Sequence, residues 1–584
     1  MVRIVAAGFL IATLRFMSAA GRAEAAVAPD GHAVAITAAA ATPATDPSPV
    51  WLFLGDQSPG PTTGLLPTPR ALARREKARR EREALGRPAS ASDPASSDRE
   101  PTAHELDAIR AAGGRVRAVS RWLNAVSVDA DPVSLAAIRA LPFVREARPV
   151  ATLEADAGAA DPPAGAAGAV PGAAEPGDVA EAGPSYPQLA PIGILEAHAL
   201  GYHGEGVVIG VLDSGFTLRH ETFRDIDVRG QRDFVQGDDD PSDDRSRLPR
   251  DPPGSHNHGT QVLSLIAANS PGTMIGAAPR AAFVLAKTEQ SGSETAIEED
   301  FWCAGLEWAE AMGADVITTS LSYTGWYRAS DFDGRSAITT RMANLAWERG
   351  VVILNSAGNQ GPKPSTLGAP ADAPGTLTVG ATSLAGRIVG FSSRGPTGDG
   401  RIKPDVVAPG SGVLVASAGS LDRYHRGSGT SYSTPLVAGL AALVIEAHPD
   451  WGPEAVREAI VMSADRADRP ANDYGWGIPN ARDAIFYPFL EGRVTDRAGG
   501  APVAGARVRW ERVEGPRGEW AAPGDSPAAG ETRTDAAGSY TIPNLPPGVY
   551  RLAIEAPGFT PQDLGPFDVP PNLGGVDAAL EPAR

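Results

Sequence analysis

The sequence predicts a doubly wound parallel α/β domain, preceded by a small α+β domain and followed by an antiparallel β-sandwich. Between residues 186 and 488, short β-branched runs alternate with helical stretches, as expected of a parallel sheet covered on both faces. Residues 50–150 instead follow the order strand, helix, helix, strand, strand, helix, strand. After Leu490, period-two strands are separated by Gly, Pro and Asp turns, which is typical of a small sandwich.

The amino terminus has the pattern of an export signal. Arg3 precedes an apolar run from Ile4 to Leu14, and small-residue sites follow it, as in secretory signals. The run is too short for a stable bilayer anchor, and no later segment is predicted to span a membrane. We therefore expect a protein that is secreted to the extracellular space or the periplasm after signal cleavage.

The composition narrows the possible partners. A chain of 584 residues is too long for one core, so several domains are expected. The net charge of -18 argues against nucleic acid or an anionic membrane as a partner. Cys303 is the single cysteine, which excludes an intrachain disulfide. Its amphipathic helical setting favours a buried structural thiol over a nucleophile.

The small α+β domain begins with a strand at Val50–Leu54 and a charged helix at Arg70–Leu85. Basic residues of this helix alternate with glutamates, which predicts a solvated helix with ion pairs along it rather than a nucleic-acid site. The remaining predicted elements are a helix at 102–112, strands at 115–119 and 125–129, a helix at 132–141 and a strand at 144–150. Residues 151–184 lack an apolar period, so we expect a mobile linker there.

The predicted α/β domain follows this linker, and functional groups in such sheets gather at the carboxyl ends of the strands. Its predicted strands are 207–212, 282–286, 315–319, 351–355 and 377–379, and its predicted helices are 293–312, 337–349, 431–448 and 452–463.

Four polar residues stand at such positions. Asp213 ends a strand, His258 precedes Gly-Thr at a helix start, Ser431 opens an apolar helix, and Asn359 follows a strand in a glycine-flanked turn. A serine hydroxyl needs a base, a group that orients the base, and donors for the oxyanion. The sequence offers one candidate for each role, with the amide of Ser431 and the side chain of Asn359 as the oxyanion donors.

Rival residues lie close to two of these candidates. His256 is two residues from His258 but lacks the following Gly-Thr, whereas Ser428 and Ser433 flank the Gly-Thr-Ser position that Ser431 occupies. We therefore favour His258 and Ser431.

In these motifs the chain resembles the subtilisin-like serine proteases (subtilases, peptidase family S8). The likeness runs from about Tyr186 to Ala484 and keeps the Asp, His, Ser chain order of subtilisin. It implies catalysis by Asp213, His258 and Ser431 and pairing of a peptide substrate with Ser320, Leu321 and Ser322. A frequent family pattern has glycine after Ser-Leu where this chain has Ser322, so the side-chain preference of that subsite stays open.

The flanking domains resemble known accessory modules. Residues Val116–Val150 are similar to the inhibitor-type, ferredoxin-like propeptide of subtilases, and the segment after Leu490 resembles the carboxypeptidase regulatory-like domain. We expect the latter to be an accessory module rather than a ligand site. The expected parts are a signal peptide (1–25), a spacer (26–49), the propeptide domain (50–156), a linker (157–184), the catalytic domain (185–487) and the β-sandwich (488–584).

The resemblance implies a secreted serine endopeptidase, made as a zymogen that cuts itself between about Glu154 and Ser185. Its partners are protein or peptide substrates and its own propeptide, and we expect a monomer that needs no cofactor. Calcium at the acidic loop Asp238–Asp240 and Asp243–Asp244 is an alternative to a solvated loop. Two other functions stay open: a peptide ligase or cyclase, and a catalytically silent binding protein.

Overall fold

The computed structural model describes residues 48–55, 66–85, 98–150, 180–242, 254, 256–289, 297–324, 327–514, 529–545, 548–569 and 575–583. The expected signal peptide, the spacer up to residue 47 and the linker from 151 to 179 lie outside the described residues. The expected cut region between Glu154 and Ser185 is thereby described only at its end.

The N-terminal domain (residues 48–150) has a four-stranded antiparallel sheet in the order β2-β3-β1-β4. On one face of strand β1, Val50 and Leu52 pack with Ile109 of α2 and Ile138 of α3. Its elements are β1 (Ser48–Leu54), α1 (Pro69–Ala84), α2 (Ala103–Ala111), β2 (Arg115–Ser120), β3 (Ala125–Ala130), α3 (Pro132–Arg139) and β4 (Val144–Pro149). The predicted α+β order is therefore confirmed.

The central domain (residues 180–489) is built on an eight-stranded sheet in the order β14-β13-β12-β11-β10-β5-β9-β6. All neighbouring pairs are parallel except β13 and β14, which pair antiparallel at one edge. The strands are β5 (Val208–Asp213), β6 (Asp227–Asp233), β9 (Ala282–Lys287), β10 (Val316–Thr319), β11 (Val352–Ser356), β12 (Thr376–Ser383), β13 (Val406–Ala416) and β14 (Tyr424–Ser428), with a separate hairpin of β7 (Asn269–Ser270) and β8 (Met274–Ile275).

Helices cover both faces of this sheet, which confirms the doubly wound α/β class. The helices are α4 (Tyr186–Leu189), α5 (Ile194–Ala199), α6 (Asn257–Ala267), α7 (Ile297–Ala311), α8 (Ile338–Glu348), α9 (Thr430–Ala447), α10 (Pro453–Met462) and α11 (Ala481–Phe486). Helices α6, α9 and α10 share one buried core with the sheet, and α7 and α8 share the other. The inner strands β5, β9, β10, β11 and β12 are thus buried on both faces, which explains their continuous apolar runs.

Helix α9 is long and apolar enough to cross a membrane by length and composition alone, and 83% of it is buried inside the protein. It shares one buried core with the sheet and with helices α6 and α10, as the core helix of a globular domain does.

The C-terminal domain (residues 490–583) packs two small sheets, β18-β15-β21 and β17-β16-β19-β20, around one core. Most of its strand pairs are antiparallel, as predicted, but β15 and β21 pair parallel. The strands are β15 (Leu490–Asp496), β16 (Arg507–Glu514), β17 (Ala529–Arg533), β18 (Ser539–Ile542), β19 (Gly548–Glu555), β20 (Gln562–Val569) and β21 (Ala578–Leu580).

The N-terminal domain covers α7 and α8 of the central domain. Alternate residues of β1 point to opposite faces of its sheet, and Trp51 and Phe53 face the central domain, where they join the core that α7 and α8 form. Trp122 belongs to the same core, and the guanidinium of Arg349 lies 4.4 Å from its ring centroid. The two domains therefore share a hydrophobic interface.

The expectation of a solvated α1 is wrong for one side of that helix. Arg74 and Arg75 are 3% and 7% exposed, and Glu81 is 5% exposed, because this side lies on the central domain. Ion pairs along the helix, as predicted, occur on its outer side, where Glu76 binds Arg79 and Arg80.

Candidate active site

Asp213 is the last residue of β5 and is fully buried. One of its oxygens, Oδ1, accepts a hydrogen bond from the backbone amide of Ser214 at 2.7 Å. The same oxygen lies 2.8 Å from Nδ1 of His258. A carboxylate can only accept here, so Nδ1 carries the hydrogen and Nε2 is left as the basic nitrogen of the ring.

His258 lies in the first turn of α6, and its neighbours explain the His-Gly-Thr motif. A Cβ atom at Gly259 would stand 2.3 Å from the carbonyl oxygen of Gly215, so any larger residue would push the helix away from the loop after β5. Thr260 accepts a hydrogen bond from the amide of Thr217 at 2.9 Å. Its own hydroxyl donates to the carbonyl of His256 at 2.6 Å. These contacts fix the distance between Asp213 and the imidazole.

Ser431 lies in the first turn of α9 and is 6% exposed. The next residue, Tyr432, donates its hydroxyl hydrogen to Gln261 of α6. The ring centroids of Tyr432 and His258 are 6.1 Å apart. The first turns of α6 and α9 therefore face each other and bring Ser431 to the side of the site where His258 lies.

Pro435 explains another part of the serine motif. In a helix the carbonyl of Ser431 would accept from the amide of residue 435, but proline has no amide hydrogen. The hydroxyl of Ser320 lies 3.4 Å from this carbonyl and donates to it. Pro435 thus leaves an acceptor that joins the start of α9 to the end of β10.

Asn359 lies in the turn after β11 and is held by α9. Its Oδ1 accepts from both the amide and the hydroxyl of Thr430, each at 3.0 Å. With Oδ1 turned to Thr430, Nδ2 faces the other way. A Cβ built on Gly429 would lie 3.8 Å from both this Nδ2 and the amide nitrogen of Ser431. Two N–H donors thus converge beside Gly429, at a helix start where unpaired amides carry partial positive charge.

The segment Ser320–Ser322 continues beyond the end of β10 at the carboxyl edge of the sheet. Leu321 is 3% exposed and its side chain belongs to the core under α7 and α8. Its carbonyl accepts from Asn355 at 3.0 Å. The hydroxyl of Ser322 lies between Gly358 and Gly368, 3.8 and 2.2 Å from where their Cβ atoms would stand. Two glycines therefore make room for the side chain that departs from the frequent pattern.

Sequence reasoning missed Glu289, which follows β9 two residues after the position that pairs with Asp213. Its Oε1 is buried and has no hydrogen-bond partner among the residues that the structure describes. Burial and the negative charge of Asp213 raise the pKa of Glu289 well above its ordinary value. Tyr432 and Gln261 were also missed, although tyrosine directly after the candidate serine was a visible signal.

Two carboxylates of α7 are buried where the N-terminal domain covers this helix. Asp300 accepts from the hydroxyl of Ser127 at 2.9 Å and pairs with Arg117 at 2.9 Å. Glu307 accepts from Ser120 at 2.6 Å. Burial raises the pKa of Asp300 to about 7 and also raises the pKa of Glu307.

Among the described residues, no group of three or more His, Cys, Asp or Glu side chains is arranged to hold a metal ion. In the acidic loop, Asp238 and Asp240 accept hydrogen bonds from backbone amides two residues further on. Asp243 and Asp244 lie outside the described residues.

Comparisons with family models match all three parts of the chain. Residues 204–477 match the subtilase family, peptidase S8. Residues 50–161 match the peptidase S8 propeptide domain of Bacteroidota, and residues 490–581 match the carboxypeptidase regulatory-like domain.

Individual relatives and a solved structure also point to the subtilases. Subtilisin E of Bacillus subtilis (strain 168) is 34% identical over 309 residues, which span 51% of this chain and 72% of that protein. The serine protease AprX of the same organism is 31% identical over 313 residues, or 48% of this chain and 66% of AprX. The crystal structure of fervidolysin from Fervidobacterium pennivorans, a keratinolytic enzyme related to subtilisin, aligns with a TM-score of 0.55 at 19% identity. The alignment covers 91% of this chain and 78% of fervidolysin, and supports the fold alone.

Proposed function

Since the chain belongs to the subtilase family of serine endopeptidases, we propose that it hydrolyses peptide bonds through Asp213, His258 and Ser431. The observation that carries this proposal is the 2.8 Å contact between Oδ1 of Asp213 and Nδ1 of His258, at the helix start that faces the first turn of α9. This contact fixes the tautomer that a general base needs, with Nε2 available to take a proton.

In the proposed reaction, His258 takes the hydroxyl proton of Ser431 as its oxygen attacks the scissile carbonyl. The negative charge that develops on the carbonyl oxygen is stabilised by the amide of Ser431 and by Nδ2 of Asn359. Protonated His258 then gives its proton to the leaving amine, and an acyl group remains on Ser431. Water activated by His258 releases this group and restores the enzyme. Asp213 stays ionised and stabilises the imidazolium.

We further propose that a peptide substrate pairs with Ser320–Ser322 by strand addition. Since this segment lies beside the convergent donors at Gly429, a paired peptide would pass the hydroxyl of Ser431. Calcium binding at Asp238–Asp240 stays a secondary proposal, which calorimetric titration with Ca²⁺ tests directly.

The N-terminal domain is, in this proposal, an inhibitory propeptide of a secreted zymogen that cuts itself within the linker. Support comes from the family match and from the hydrophobic interface of Trp51, Phe53 and Trp122 with the central domain. A His258→Ala chain should accumulate as an uncut precursor. Normal processing of that variant would contradict self-cleavage.

A fluorophosphonate probe tests the nucleophile. The purified chain should be labelled at Ser431, and Ser431→Ala should not be labelled. Ser428→Ala and Ser433→Ala are matched controls from the same segment and should keep the label. Labelling of Ser431→Ala, or loss of labelling in Ser428→Ala alone, would overturn the assignment.

A further inference from the structure

Helix α1 occupies a groove that is formed by the ends of three helices of the central domain. The carboxyl ends of α7 and α8 and the amino end of α10 meet at this groove. The amide of Thr68, just before α1, donates to the carbonyl of Ala311 at 2.8 Å. Residues at one side of α1, spaced by about one turn, then contact the groove along the whole helix.

Arginines of α1 bind the carboxyl ends of α7 and α8. Arg75 forms a two-pronged ion pair with Glu310, with contacts of 2.9 and 2.7 Å. Arg74 pairs with the same carboxylate and donates to the carbonyls of Glu310, Ala314 and Arg349. The last carbonyls of a helix lack helical donors and carry partial negative charge. A guanidinium fork suits such a site because it offers several donors in a fixed plane.

Glu81, nearer the other end of α1, binds the amino end of α10. Its carboxylate accepts from the amides of Glu454 at 3.2 Å and Ala455 at 3.0 Å. These amides belong to the first turn of α10 and have no helical acceptor. Opposite charges of α1 thus meet helix ends of opposite polarity, and this matching fixes the direction of α1 in the groove.

The groove lies at the amino ends of strands β5 and β10, whereas the candidate active site lies at their carboxyl ends. Arg70 donates to the carbonyl of Gly206, two residues before β5, and pairs with Asp315, directly before β10. Asp213 is the last residue of β5 and therefore lies at the carboxyl end of that strand. A strand of this length spans about 20 Å, so α1 does not reach the catalytic groups.

We propose that these helix ends form a docking site for an arginine-bearing helix and that α1 occupies it as a second anchor of the propeptide. The proposal rests on the proposed function, since it concerns the propeptide of a self-processing protease. Cleavage in the linker leaves every contact of α1 in place. The anchor therefore helps to set how long the cut propeptide stays on the enzyme, in addition to the hydrophobic interface of Trp51, Phe53 and Trp122 with α7 and α8.

Full-length chains test this anchor after self-processing. The cut propeptide of the wild type should co-elute with the enzyme in gel filtration, and its release should be followed by the onset of peptidase activity. In Arg74→Ala/Arg75→Ala, release should be ~100-fold faster, because Glu310 loses both partners of a buried ion pair. Arg80→Ala is the matched control, since Arg80 lies on the outer side of α1 with a 74% exposed side chain; its release should stay within about twofold of wild type.

Two further measurements keep the test decisive. If the double variant fails to fold, Glu310→Gln removes the same ion pairs from the other side and should show the same faster release. If no chain processes itself, the proposed function fails, and the anchor is tested by hydrogen exchange in Ser431→Ala. There, Arg74→Ala/Arg75→Ala should expose the amides of Glu454 and Ala455, whereas Arg80→Ala should not. Release at the wild-type rate in the double variant, or in Glu310→Gln, would overturn the anchor.

Discussion

Because of Asp300, the affinity of the propeptide for the central domain should depend on pH. It lies on α7 and is 1% exposed, under β2 and β3 of the N-terminal domain. Arg117 and Ser127 contact its carboxylate, and Asp129, which also pairs with Arg117, adds a repulsive charge. We expect Asp300→Asn to remove most of the pH dependence of propeptide binding between pH 4 and 7.

The sign follows from the raised pKa. In the complex the pKa of Asp300 is about 7, against an ordinary value of 3.8. When the propeptide leaves, α7 faces water and the ordinary value applies. A raised pKa means that binding is fully favourable below pH 4 and weakens as the pH rises towards 7.

The magnitude follows from the same two values. Each pKa unit corresponds to 1.36 kcal/mol, so the difference of about three units weakens binding by about 4 kcal/mol, or ~1000-fold, once the pH rises from below 4 to above 7. Between pH 5 and pH 7 alone, the expected change is about fiftyfold, because half of the Asp300 carboxyls in the complex are still protonated at pH 7. Glu307, whose pKa burial also raises, adds to the change in the same direction.

The assay measures the dissociation constant of the processed complex at pH 5, 6, 7 and 8 and constant ionic strength. Asp300→Asn should flatten the dependence of the dissociation constant on pH, and adding Glu307→Gln to this variant should flatten it further. Asp107→Asn, an exposed carboxylate on α2, is the control and should follow the wild type. Tighter binding at pH 7 than at pH 5, or an unchanged curve in Asp300→Asn, would refute the reasoning.

Three further predictions concern the candidate active site. Asp213→Asn should lower kcat by about 10⁴, because the imidazole loses the acceptor that fixes its tautomer; kinetics with a chromogenic peptide measure this, and a loss below tenfold would contradict the role. Asn359→Ala should lower kcat by about 10²–10³, the magnitude found for the corresponding donor in subtilisin, with KM nearly constant; a change in KM alone would point to substrate binding instead. Gly259→Ala should lower the free energy of unfolding by about 2 kcal/mol or more, since its methyl group would collide with the carbonyl of Gly215; urea unfolding of the Ser431→Ala background would reveal it, and an unchanged midpoint would argue against the close approach.

Much of the fold could be predicted because burial leaves a pattern in the sequence. Strands such as β5 and β11 are buried on both faces, so their apolar runs are continuous. Strand β6 was not predicted because it lies at the sheet edge, where exposed and half-buried residues alternate and only the last residue is buried, and because it has a charged residue at each end. The parallel pairing of β15 with β21 was also not predicted, because pairing between segments distant in sequence leaves no local sequence signal.

The candidate site was visible because each of its groups sits in a short motif with a local cause. Gly259 allows the approach of Gly215, and Pro435 leaves the carbonyl of Ser431 to Ser320. Helix α1 was misjudged for the opposite reason. Its buried side carries Arg74, Arg75 and Glu81 beside the small residues Ala71 and Ala78, so no large apolar side chain indicates an interface. The partners are the ends of distant helices, which cannot be identified from the sequence of α1 itself.

Strands β5 and β10 separate the candidate active site from the contacts of α1. The carboxyl end of each strand leads into the residues proposed to bind and cleave a peptide, and Gly206 and Asp315, which bind Arg70, lie just before the amino ends. About 20 Å of strand backbone lies between the two ends, so a change at one end does not contact the other. Under the proposed inhibition by the N-terminal domain, substitutions at the α1 groove should change how long the protease stays inactive without changing which bonds it cuts. A compound that displaces α1 should then activate the protease.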